Sequence, residues 1–479
     1  MNAIISPHCF TGTVRLPASK SHTIRRLLIA ALANGVSEIE HPLDSLDARS
    51  CVAVCRTLGA EITEHRGNDS ASPNPPDQNG EKLLRWSVRG IGSRVSGPST
   101  GELKRCDVGN SGTTLFLALA MAALGTDPVE FDGDDQIRRR SAGPLLEALA
   151  GLGVRVNSAD GGCAPITVQG PWKGGKVSLS CPTSQYLSAL LLAAPLAPAG
   201  VVTEIDIPLL NERPYIEMTL SYLDNQGIPY KAAPDFSHFT IPGGSRWEPL
   251  SAPVPADFSS AAFPAAAAAI SGGPVTLLGL DPNDTQGDKV FFDFLKKMGC
   301  HVLWDQVPEG QVSLGQYFNS GLRAMGQRAA VLTFAEWQLK ISRQGRLKGA
   351  EFDLNDTPDL LPALAAVACY ARGDTALVNV AHARLKETDR IAVMAEELGK
   401  LGVKTTERPD GIVIHGIGGI SLHAVPDGKF SVDGRGDHRV VMALAAAALG
   451  CPAPMEISGA ESAAVTYPGF LELLDADLV

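Results

Sequence analysis

The sequence lacks the features that mark membrane proteins, nucleic-acid-binding proteins and secreted proteins. It has no uncharged run of the roughly 18 residues that a membrane span requires without helix breakers or capping signals inside it. Lys and Arg number 41 against 52 Asp and Glu, and the net charge of -11 disfavours nucleic acid as a partner, because phosphate backbones attract a basic surface. The first residues do not show the basic-then-apolar order of a signal peptide. We therefore expect a cytoplasmic protein with neither a membrane nor a nucleic acid as its partner.

Cysteine pairs with the spacing of a metal or redox site are also missing. Nine cysteines are present and none belongs to a CxxC pair, so buried free thiols are the simplest interpretation. The negative total does not exclude small anionic ligands, because a pocket of Lys and Arg can be locally positive when charges beyond about 10 Å are screened. At 479 residues, the chain is long enough for two domains rather than one core.

What the sequence does contain is one pattern repeated six times. In each copy an Ala-rich, almost uncharged helical stretch ends at Gly and leads into a short strand-like run. The six stretches begin near Lys20, Asn110, Thr183, Asp257, Asp359 and Asp437. Helices that are apolar on all sides are predicted to be buried. One flat sheet cannot cover three such helices, whereas three βαβαββ units around them can, so the repeat predicts two globular halves of three units each.

A second, amphipathic helix follows in most copies and ends in a Leu-Gly-apolar signature, as at 58–60 and 401–403. Gly at that position is a helix C-cap, and the β-branched residues after it begin another strand. The sixth copy stops at the helix over 469–474, with no strand predicted after it. Two segments, 64–100 and 306–350, interrupt the period, and we interpret both as surface insertions without a role in the chemistry.

Each of the six helical stretches opens on polar residues. Helix N-termini carry unpaired N–H groups and a partial positive charge, so several of them facing one cleft would form a site for anions. The simpler explanation is N-capping, for example by Ser19 or Ser21. For the clusters at 110–114 and 183–186 taken alone, capping is the better explanation. The six clusters taken together favour the anion site.

Two charged clusters stand out in an otherwise apolar C-terminal half. Residues 384–390 place three cations before or at the opening of one helix, and the same repeat carries Asp359 at another helix start. A solvated helix start with local ion pairs is the alternative. Lys supplies a point charge for phosphate and Arg a bidentate grip, and a carboxylate among them can act as base or acid. Arg439, three positions into an apolar helix, is harder to explain by solvation.

These motifs resemble the enolpyruvyl transferase family, most closely the branch that acts on shikimate 3-phosphate, from about Pro17 to Phe470 apart from the two insertions. The motifs that carry the resemblance are Ala18-Ser-Lys-Ser, Gly109-Asn-Ser-Gly-Thr, Thr183-Ser-Gln-Tyr, Asp257-x-Ser-Ser-Ala, Leu385-Lys-Glu-Thr-Asp-Arg, Asp437-His-Arg and Thr466-Tyr-Pro. The resemblance implies a two-domain inside-out α/β barrel, in which each domain has three βαβαββ units with buried parallel helices. It also implies that the first strand belongs to the C-terminal domain. Residues 1–18 and 252–479 would then form one domain and residues 19–251 the other.

Members of this family transfer the enolpyruvyl group of phosphoenolpyruvate to the 5-hydroxyl of shikimate 3-phosphate, on the shikimate pathway to chorismate and the aromatic amino acids. The hydroxyl adds to C2 while C3 is protonated, and the tetrahedral adduct then loses phosphate. That chemistry requires cations on the phosphate and carboxylates, with a proton donor and acceptor near the carbon centre. The resemblance thus implies two small-molecule substrates and neither a metal nor an organic cofactor, and we expect a monomer.

Carried over motif by motif, the resemblance assigns roles to individual residues. Asp359 is implied as the proton acceptor, Glu387 as the acid for the methylene carbon, and Lys20 as a catalytic cation between both substrates. The residues implied to bind phosphoenolpyruvate are Lys20, Gly112, Gln185, Arg390 and Arg439. Those implied to bind shikimate 3-phosphate are Lys20, Ser21, Arg25, Thr183, Ser184, Gln185, Asp359 and Lys386, with Thr183 and Ser184 on its phosphate.

Five positions depart from the family pattern. Gln136, Phe116 and Val465 stand where the family carries Arg, Arg and Lys, and Glu212 and His382 stand where it carries Ser and Asn. Loss of phosphate-binding cations weakens phosphoenolpyruvate binding unless neighbours such as Arg138 or Arg139 substitute.

These departures leave two alternatives open. Glu212 and His382 suggest an enolpyruvyl transferase with another acceptor, such as a UDP-sugar or a specialised cyclitol. Gln136 and Val465 suggest a catalytically degenerate paralogue that binds a phosphorylated ligand without turnover. The second alternative is disfavoured because the remaining catalytic set, including Lys20, is intact.

Overall fold

The computed structural model describes residues 1–69, 72–92, 101–306, 337–420 and 429–478. In chain order its strands are β1 (Asn2–Ile5), β2 (Gly12–Arg15), β3 (Val36–Glu40), β4 (Glu61–Gly67), β5 (Lys82–Arg89), β6 (Lys104–Asp107), β7 (Val129–Asp132), β8 (Arg155–Ala159), β9 (Cys163–Gln169), β10 (Gly175–Cys181), β11 (Val202–Leu210), β12 (Lys231–Ala232), β13 (His238–Pro242), β14 (Ser251–Pro253), β15 (Pro274–Leu278), β16 (Cys300–Gln306), β17 (Trp337–Arg343), β18 (Leu347–Lys348), β19 (Glu351–Asp353), β20 (Ala371–Val378), β21 (Thr405–Arg408), β22 (Gly411–Ile417), β23 (Phe430–Asp433), β24 (Met455–Ser458) and β25 (Asp477–Leu478). Its α-helices are α1 (Lys20–Leu32), α2 (Leu46–Thr57), α3 (Gly112–Ala122), α4 (Gly143–Gly151), α5 (Gln185–Ala193), α6 (Arg213–Asn225), α7 (Phe258–Ser271), α8 (Phe291–Lys297), α9 (Leu361–Ala368), α10 (Arg390–Lys400), α11 (His438–Ala448) and α12 (Phe470–Leu473).

The described strands form six sheets that share one plan. Their orders are β14-β3-β5-β4, β6-β7-β9-β8, β10-β11-β13-β12, β2-β15-β17-β16, β18-β20-β22-β21 and β23-β24-β1-β25, with β19 also pairing with β20. In each sheet the first two strands are parallel and the remaining neighbours are antiparallel. The predicted α/β fold of six repeated units is confirmed.

The helices at the starts of the repeats are buried, as their lack of charge predicts. These helices are α1, α3, α5, α7, α9 and α11. Helix α3 packs against both α1 and α5, and α7, α9 and α11 pack against one another. A helix that is apolar all round has no face to present to water, so it contacts neighbouring helices on one side and strands on the other. The result is two groups of three buried helices.

The buried apolar side chains fall into two clusters. One cluster runs from Ala18 to Val254. The other combines residues up to Leu16 with residues from Ala256 onward. The chain therefore passes between the clusters at two neighbouring places, and an isolated bridge between Ala18 and Ala256 joins those two segments.

Strand pairing accounts for this division, since the first two strands join the end of the chain. β1 pairs antiparallel with β24, with Ala3 opposite Ile457, and β2 lies parallel to β15, with Val14 opposite Leu277. Strand β14 returns to the other half and lies parallel to β3. Each group of buried helices is thereby accompanied by three complete sheets.

Three sequence expectations need correction. The segment 64–100 is not only a surface excursion, because β5 lies within it between β3 and β4, and its Trp86 is 0% exposed. The segment 306–350 is not only a surface insertion either, because β17 lies within it between β15 and β16, and its Leu339 and Ile341 are 0% exposed. A strand also follows the last helix, where none was expected: β25 pairs with β1, with Ala3 opposite Leu478. Strand β25 pairs with a strand at the other end of the chain, whereas β5 and β17 each pair with the strand that precedes them, β4 or β16, and with a second strand farther away, β3 or β15. Residues 70–71, 93–100 and 307–336 of the two expected insertions lie outside the described residues.

Polar side chains cap four of the six buried helices. Ser19, Ser111 and Asp257 each accept a backbone N–H three residues on, and Asp437 accepts the N–H groups of Arg439 and Val440. Capping therefore accounts for four of the six clusters and fixes where those helices begin. At the start of α5 the side chain of Ser184 makes no cap and Thr183 Oγ1 accepts only the N–H of Gln185, at 3.4 Å, and α9 has no side-chain cap. None of the described helices is both long and apolar enough to span a bilayer.

Candidate active site

A cavity of about 570 Å³ lies where the two halves of the molecule meet. Residues from the starts of all six buried helices line it: Lys20 and Ser21 (α1), Gly112 and Thr113 (α3), Ser184 and Gln185 (α5), Asp257 and Ser259 (α7), Asp359 (before α9) and Arg439 (α11). The helix starts therefore do more than cap, since they bring N–H groups and positive helix ends to one place. That arrangement suits anionic ligands.

The cavity gathers nearly all of the residues that the sequence analysis singled out. Its walls include Lys20, Ser21, Arg25, Gly112, Thr183, Ser184, Gln185, Asp359, Lys386, Glu387 and Arg439. Arg390 is the exception, because its side chain is 0% exposed and lies behind the cavity wall. Arg390 therefore acts on the cavity through the carboxylates that it holds.

Asp359 is at the centre of the charged wall. Its carboxylate lies 2.7 Å from Arg390 Nη1, 2.9 Å from Arg439 Nη2 and 3.9 Å from Lys386 Nζ. Burial favours the neutral form of Asp359, but the cations, Arg439 first among them, outweigh it and hold the pKa of this carboxyl well below its usual range. Asp359 is therefore ionised at neutral pH, which is the state that a proton acceptor needs.

Arg390 is the structural centre of this network. Its guanidinium contacts three carboxylates: Asp359, Asp437 at 2.8 Å and Glu387 at 2.5 Å. Burial alone would lower the pKa of Arg390, yet the carboxylates, Asp437 first, raise it above its ordinary value. A buried charge is tolerated only when it is paired and hydrogen-bonded. Arg390 therefore fixes the positions of these acidic side chains.

Glu387 faces two arginines. Its carboxylate contacts Arg390 on one side, and its Oε1 lies 3.4 Å from Arg140 Nη2 on the other. Burial would raise the pKa of Glu387, but Arg390 and Arg140 dominate and lower that pKa well below its ordinary value. Glu387 is therefore a carboxylate at neutral pH, and it can donate a proton only after an anion draws Arg140 away from it.

Lys20 links the two halves of the molecule. Its backbone N–H donates to Asp257 Oδ2 at 2.9 Å, and its ammonium lies 3.2 Å from Asp47 Oδ2. Asp47, which also lines the cavity, escaped the sequence analysis. It stands in the first turn of the amphipathic helix α2, where an acidic residue is ordinary, so no sequence signal marked it.

The guanidinium of Arg25 makes four hydrogen bonds to neighbouring groups of the protein. Its guanidinium donates to the hydroxyls of Thr219 at 3.0 Å and Ser188 at 3.2 Å, and to the carbonyls of Ser21 and Tyr215. Burial lowers the pKa of Arg25 to about 10. Arg25 remains charged at neutral pH and contributes positive potential to the cavity floor.

The three arginines that follow Gln136 lie in different places. Arg138 pairs with Asp132 at 2.8 Å, is half exposed and does not line the cavity. Arg139 and Arg140 both line the cavity. Arg140 is the deeper of the two, and its Nη1 lies 2.5 Å from the point that a Cβ on Gly112 would occupy.

Arg140 also has spare donor capacity. Within the described residues its buried Nε has no hydrogen-bond partner, and its Nη2 reaches Asn110 Oδ1 only at 3.5 Å. An unsatisfied buried guanidinium N–H is costly unless a ligand completes it. Gln136 meanwhile accepts from Asn110 Nδ2 at 2.8 Å and donates to the carbonyl of Gly436 at 3.3 Å. Gln136 therefore serves as a link between the halves and supplies no charge.

The other departures from the family pattern differ in where they lie. Phe116 lines the cavity and packs edge-on to Tyr186, with ring centroids 5.1 Å apart. His382 also lines the cavity, and burial lowers its pKa, so its imidazole is neutral at neutral pH. Val465 ends a short 3-10 turn and is absent from the cavity wall. Glu212 also lines the cavity, and its carboxylate accepts hydrogen bonds from the hydroxyls of Thr183 and Ser184.

Comparison with known proteins gives one consistent result. Residues 6–474 match the model of the family described as EPSP synthase (3-phosphoshikimate 1-carboxyvinyltransferase). A 3-phosphoshikimate 1-carboxyvinyltransferase of Ruminiclostridium cellulolyticum is 41% identical over 96% of this chain and 95% of its own. One from Halobacterium salinarum is 36% identical over 99% of this chain and 98% of its own. A solved EPSP synthase of Acinetobacter baumannii superposes with a TM-score of 0.72 at 25% identity, covering 99% of this chain and 97% of that structure.

Proposed function

The chain belongs to the EPSP synthase family, and we propose that its cavity transfers the enolpyruvyl group of phosphoenolpyruvate to the 5-hydroxyl of shikimate 3-phosphate. The products are 5-enolpyruvylshikimate 3-phosphate and inorganic phosphate. The observation that carries this proposal is the arrangement of Asp359 and Glu387 among Lys386, Arg390 and Arg439 at one cavity. A site built from helix N-termini and cations suits two anionic substrates. Two carboxylates that the cations keep ionised suit proton transfer between those substrates.

Asp359 acts as the base in the addition step. The 5-hydroxyl oxygen forms a bond to C2 of phosphoenolpyruvate as its proton passes to Asp359, and C3 takes a proton from Glu387. The double bond of phosphoenolpyruvate becomes a single bond in the tetrahedral adduct. In the elimination step the C2–O bond to phosphate breaks, C3 returns its proton to Glu387, and the proton held by Asp359 leaves with the phosphate.

Substrate charge prepares Glu387 for this role. The pKa of Glu387 is lowered by Arg390 and Arg140. When phosphoenolpyruvate brings its own negative charges to Arg140, which lines the cavity, Glu387 loses part of its stabilisation and its pKa rises. Binding of the anionic substrate and protonation of the acid are thus coupled, so that Glu387 gains its proton when phosphoenolpyruvate is present.

Arg140 takes the place of the cation that is missing at Gln136. It lies against Gly112, it faces Glu387, and its Nε has no partner among the described residues. Arg439 and Lys20 complete the group of cations that bind phosphoenolpyruvate, and the side chains of Ser21, Gln185 and Lys386 complete the acceptor site. These roles extend the assignments that the resemblance implies.

The test is turnover with phosphoenolpyruvate and shikimate 3-phosphate, measured as inorganic phosphate released. We expect phosphate release by the native protein and its loss in Lys20→Ala. Lys176→Ala is the matched control, because Lys176 is an exposed lysine paired with Asp206. If calorimetry detects binding of both ligands but the native protein releases no phosphate, the protein is a binding paralogue and the proposal is wrong.

A second candidate, the same transfer to a different acceptor, is favoured by one observation. Glu212 places a carboxylate against Thr183 and Ser184, where the resemblance implies the phosphate of shikimate 3-phosphate. A higher kcat/KM with a UDP-sugar or a cyclitol than with shikimate 3-phosphate, in the same phosphate assay, would select this candidate.

We also propose that residues 1–18 with 252–479, and residues 19–251, are separate domains that close on the substrates. The two apolar clusters divide the chain within a few residues of these boundaries. The expectation of a cytoplasmic monomer is carried over from the sequence, and sedimentation of the purified protein would test its oligomeric part.

A further inference from the structure

Glu212 stands at an unusual point of the backbone. It directly precedes α6 with φ 59° and ψ 42°, in the left-handed region, and it makes no side-chain cap with the helix that follows. Glutamate seldom adopts this conformation, which costs about 1 kcal/mol or more. The side chain is nevertheless 2% exposed. A buried glutamate in a strained backbone needs strong partners to hold it there.

The carboxylate of Glu212 is bound by the kinds of donor that bind anions in proteins. Glu212 Oε2 accepts from the hydroxyl of Thr183 at 3.0 Å, and from the backbone N–H at 3.0 Å and the hydroxyl at 2.8 Å of Ser184. Its Oε1 pairs with the ammonium of Lys386. Burial alone would raise the pKa of Glu212, but Lys386 lowers it further than burial raises it, so the carboxylate is ionised at neutral pH.

This group of donors has the composition of a phosphate site. Two hydroxyls, one N–H at the start of α5 and one ammonium are the groups that hold phosphate in proteins. The three residues that supply these groups, Thr183, Ser184 and Lys386, line the cavity, as does Glu212. All three contact the Glu212 carboxylate, and a second anion cannot share these donors without strong repulsion.

We propose that Glu212 occupies the subsite for the phosphate of the acceptor, and that an incoming phosphate must displace its carboxylate from Thr183, Ser184 and Lys386. This inference rests on the proposed function, because that function supplies an acceptor with a phosphate. Glu212 is then a specificity-determining residue. It weakens binding of phosphorylated acceptors and leaves the affinity for an acceptor without phosphate unchanged.

The test compares Glu212→Gln with the native protein by calorimetry, without phosphoenolpyruvate. Shikimate 3-phosphate, unphosphorylated shikimate and inorganic phosphate are titrated separately. We expect Glu212→Gln to bind shikimate 3-phosphate and inorganic phosphate at least tenfold more tightly than the native protein does. Binding of shikimate should stay within twofold. Glu217→Gln is the matched control, since Glu217 lies on the same helix, is half exposed and pairs only with Arg213 among the described residues.

A second variant guards against misfolding. Glu212→Asn is neutral and shorter, and asparagine tolerates left-handed backbone better than glutamate does. It should give the same tightening as Glu212→Gln and remain folded by circular dichroism, since relief of the left-handed backbone offsets part of the stability lost with the Lys386 pair. The inference is wrong if folded variants bind phosphate and shikimate 3-phosphate no more tightly, or if shikimate binding tightens equally. Because the contrast between shikimate 3-phosphate and unphosphorylated shikimate is measured as binding, it decides the inference even if the native protein shows no turnover, a result that would refute the proposed function alone.

Discussion

The Asp359→Asn substitution separates two roles of this carboxylate, which are to accept a proton and to balance the charge of the neighbouring cations. Asn keeps the shape of Asp and an oxygen facing Arg390 and Arg439, but it cannot take a proton and it carries no charge. Loss of a positioned general base lowers kcat by about 10²–10⁴-fold, which corresponds to about 2.7–5.4 kcal/mol of barrier. Lys386 and Arg439 also lose their shared counter-charge at 3.9 and 2.9 Å. They then attract an anionic ligand at least as well as before.

The expected result is therefore a split between kcat and substrate affinity. In Asp359→Asn, kcat for phosphate release should fall at least a hundredfold, while the Kd of phosphoenolpyruvate by calorimetry should stay equal or become tighter. The melting temperature of the free protein should fall, since removal of one member of a buried ion pair is destabilising by about 3–5 kcal/mol. Phosphoenolpyruvate should recover part of that loss, because its charge replaces the missing carboxylate.

Asp374→Asn is the control, because Asp374 is an exposed aspartate on β20 that pairs with His415 of the neighbouring strand β22. A kcat within tenfold of the native value in Asp359→Asn would refute the assignment of Asp359 as the base. A weaker Kd for phosphoenolpyruvate with nearly unchanged kcat would show instead that Asp359 serves binding.

Three further predictions follow from the same network. Gly112→Ala should raise the KM of phosphoenolpyruvate at least tenfold, because the new Cβ would lie 2.5 Å from Arg140 Nη1; an unchanged KM would contradict the placement of Arg140. Arg390→Gln should destabilise the fold by about 3–5 kcal/mol, since Asp437 would be left buried without its cation; a melting temperature equal to the native one would contradict this. Burial lowers the pKa of His438 well below 6.5, so the unfolded chain binds the proton first and stability should decline as pH falls below about 6.5. His438→Asn should lose less stability than the native protein between pH 7.5 and 5, measured as the urea midpoint.

Local patterns in the sequence were enough to locate the six buried helices and their starts. Residues such as Ser111 and Asp437 cap helices through contacts within three positions, and apolar helix surfaces are visible within one helical window. The same patterns failed for three strands. Strand β25 was not expected at all, because its partner β1 lies at the other end of the chain. Strands β5 and β17 were hidden in segments expected to be insertions, although each also pairs with the strand that precedes it, β4 or β16.

The candidate site shows the same limit at the level of side chains. Three consecutive arginines follow Gln136 in the sequence, and nothing local distinguishes them. In the structure Arg138 pairs with Asp132 on the surface while Arg140 faces Glu387. In the sequence Asp47 is an ordinary acidic residue in the first turn of a helix, and only the structure shows its contact with Lys20.

The sequence by itself determined that polar helix starts would repeat six times around apolar helices, because burial of an uncharged helix and capping of its first turn depend on neighbouring residues. Only the tertiary structure decided which charges meet. Glu212 contacts Lys386 across 174 positions, and Gln136 contacts Gly436 across 300. Such pairs are set by how two separately packed halves lie against each other, and their energies depend on burial and distance, neither of which a linear pattern contains.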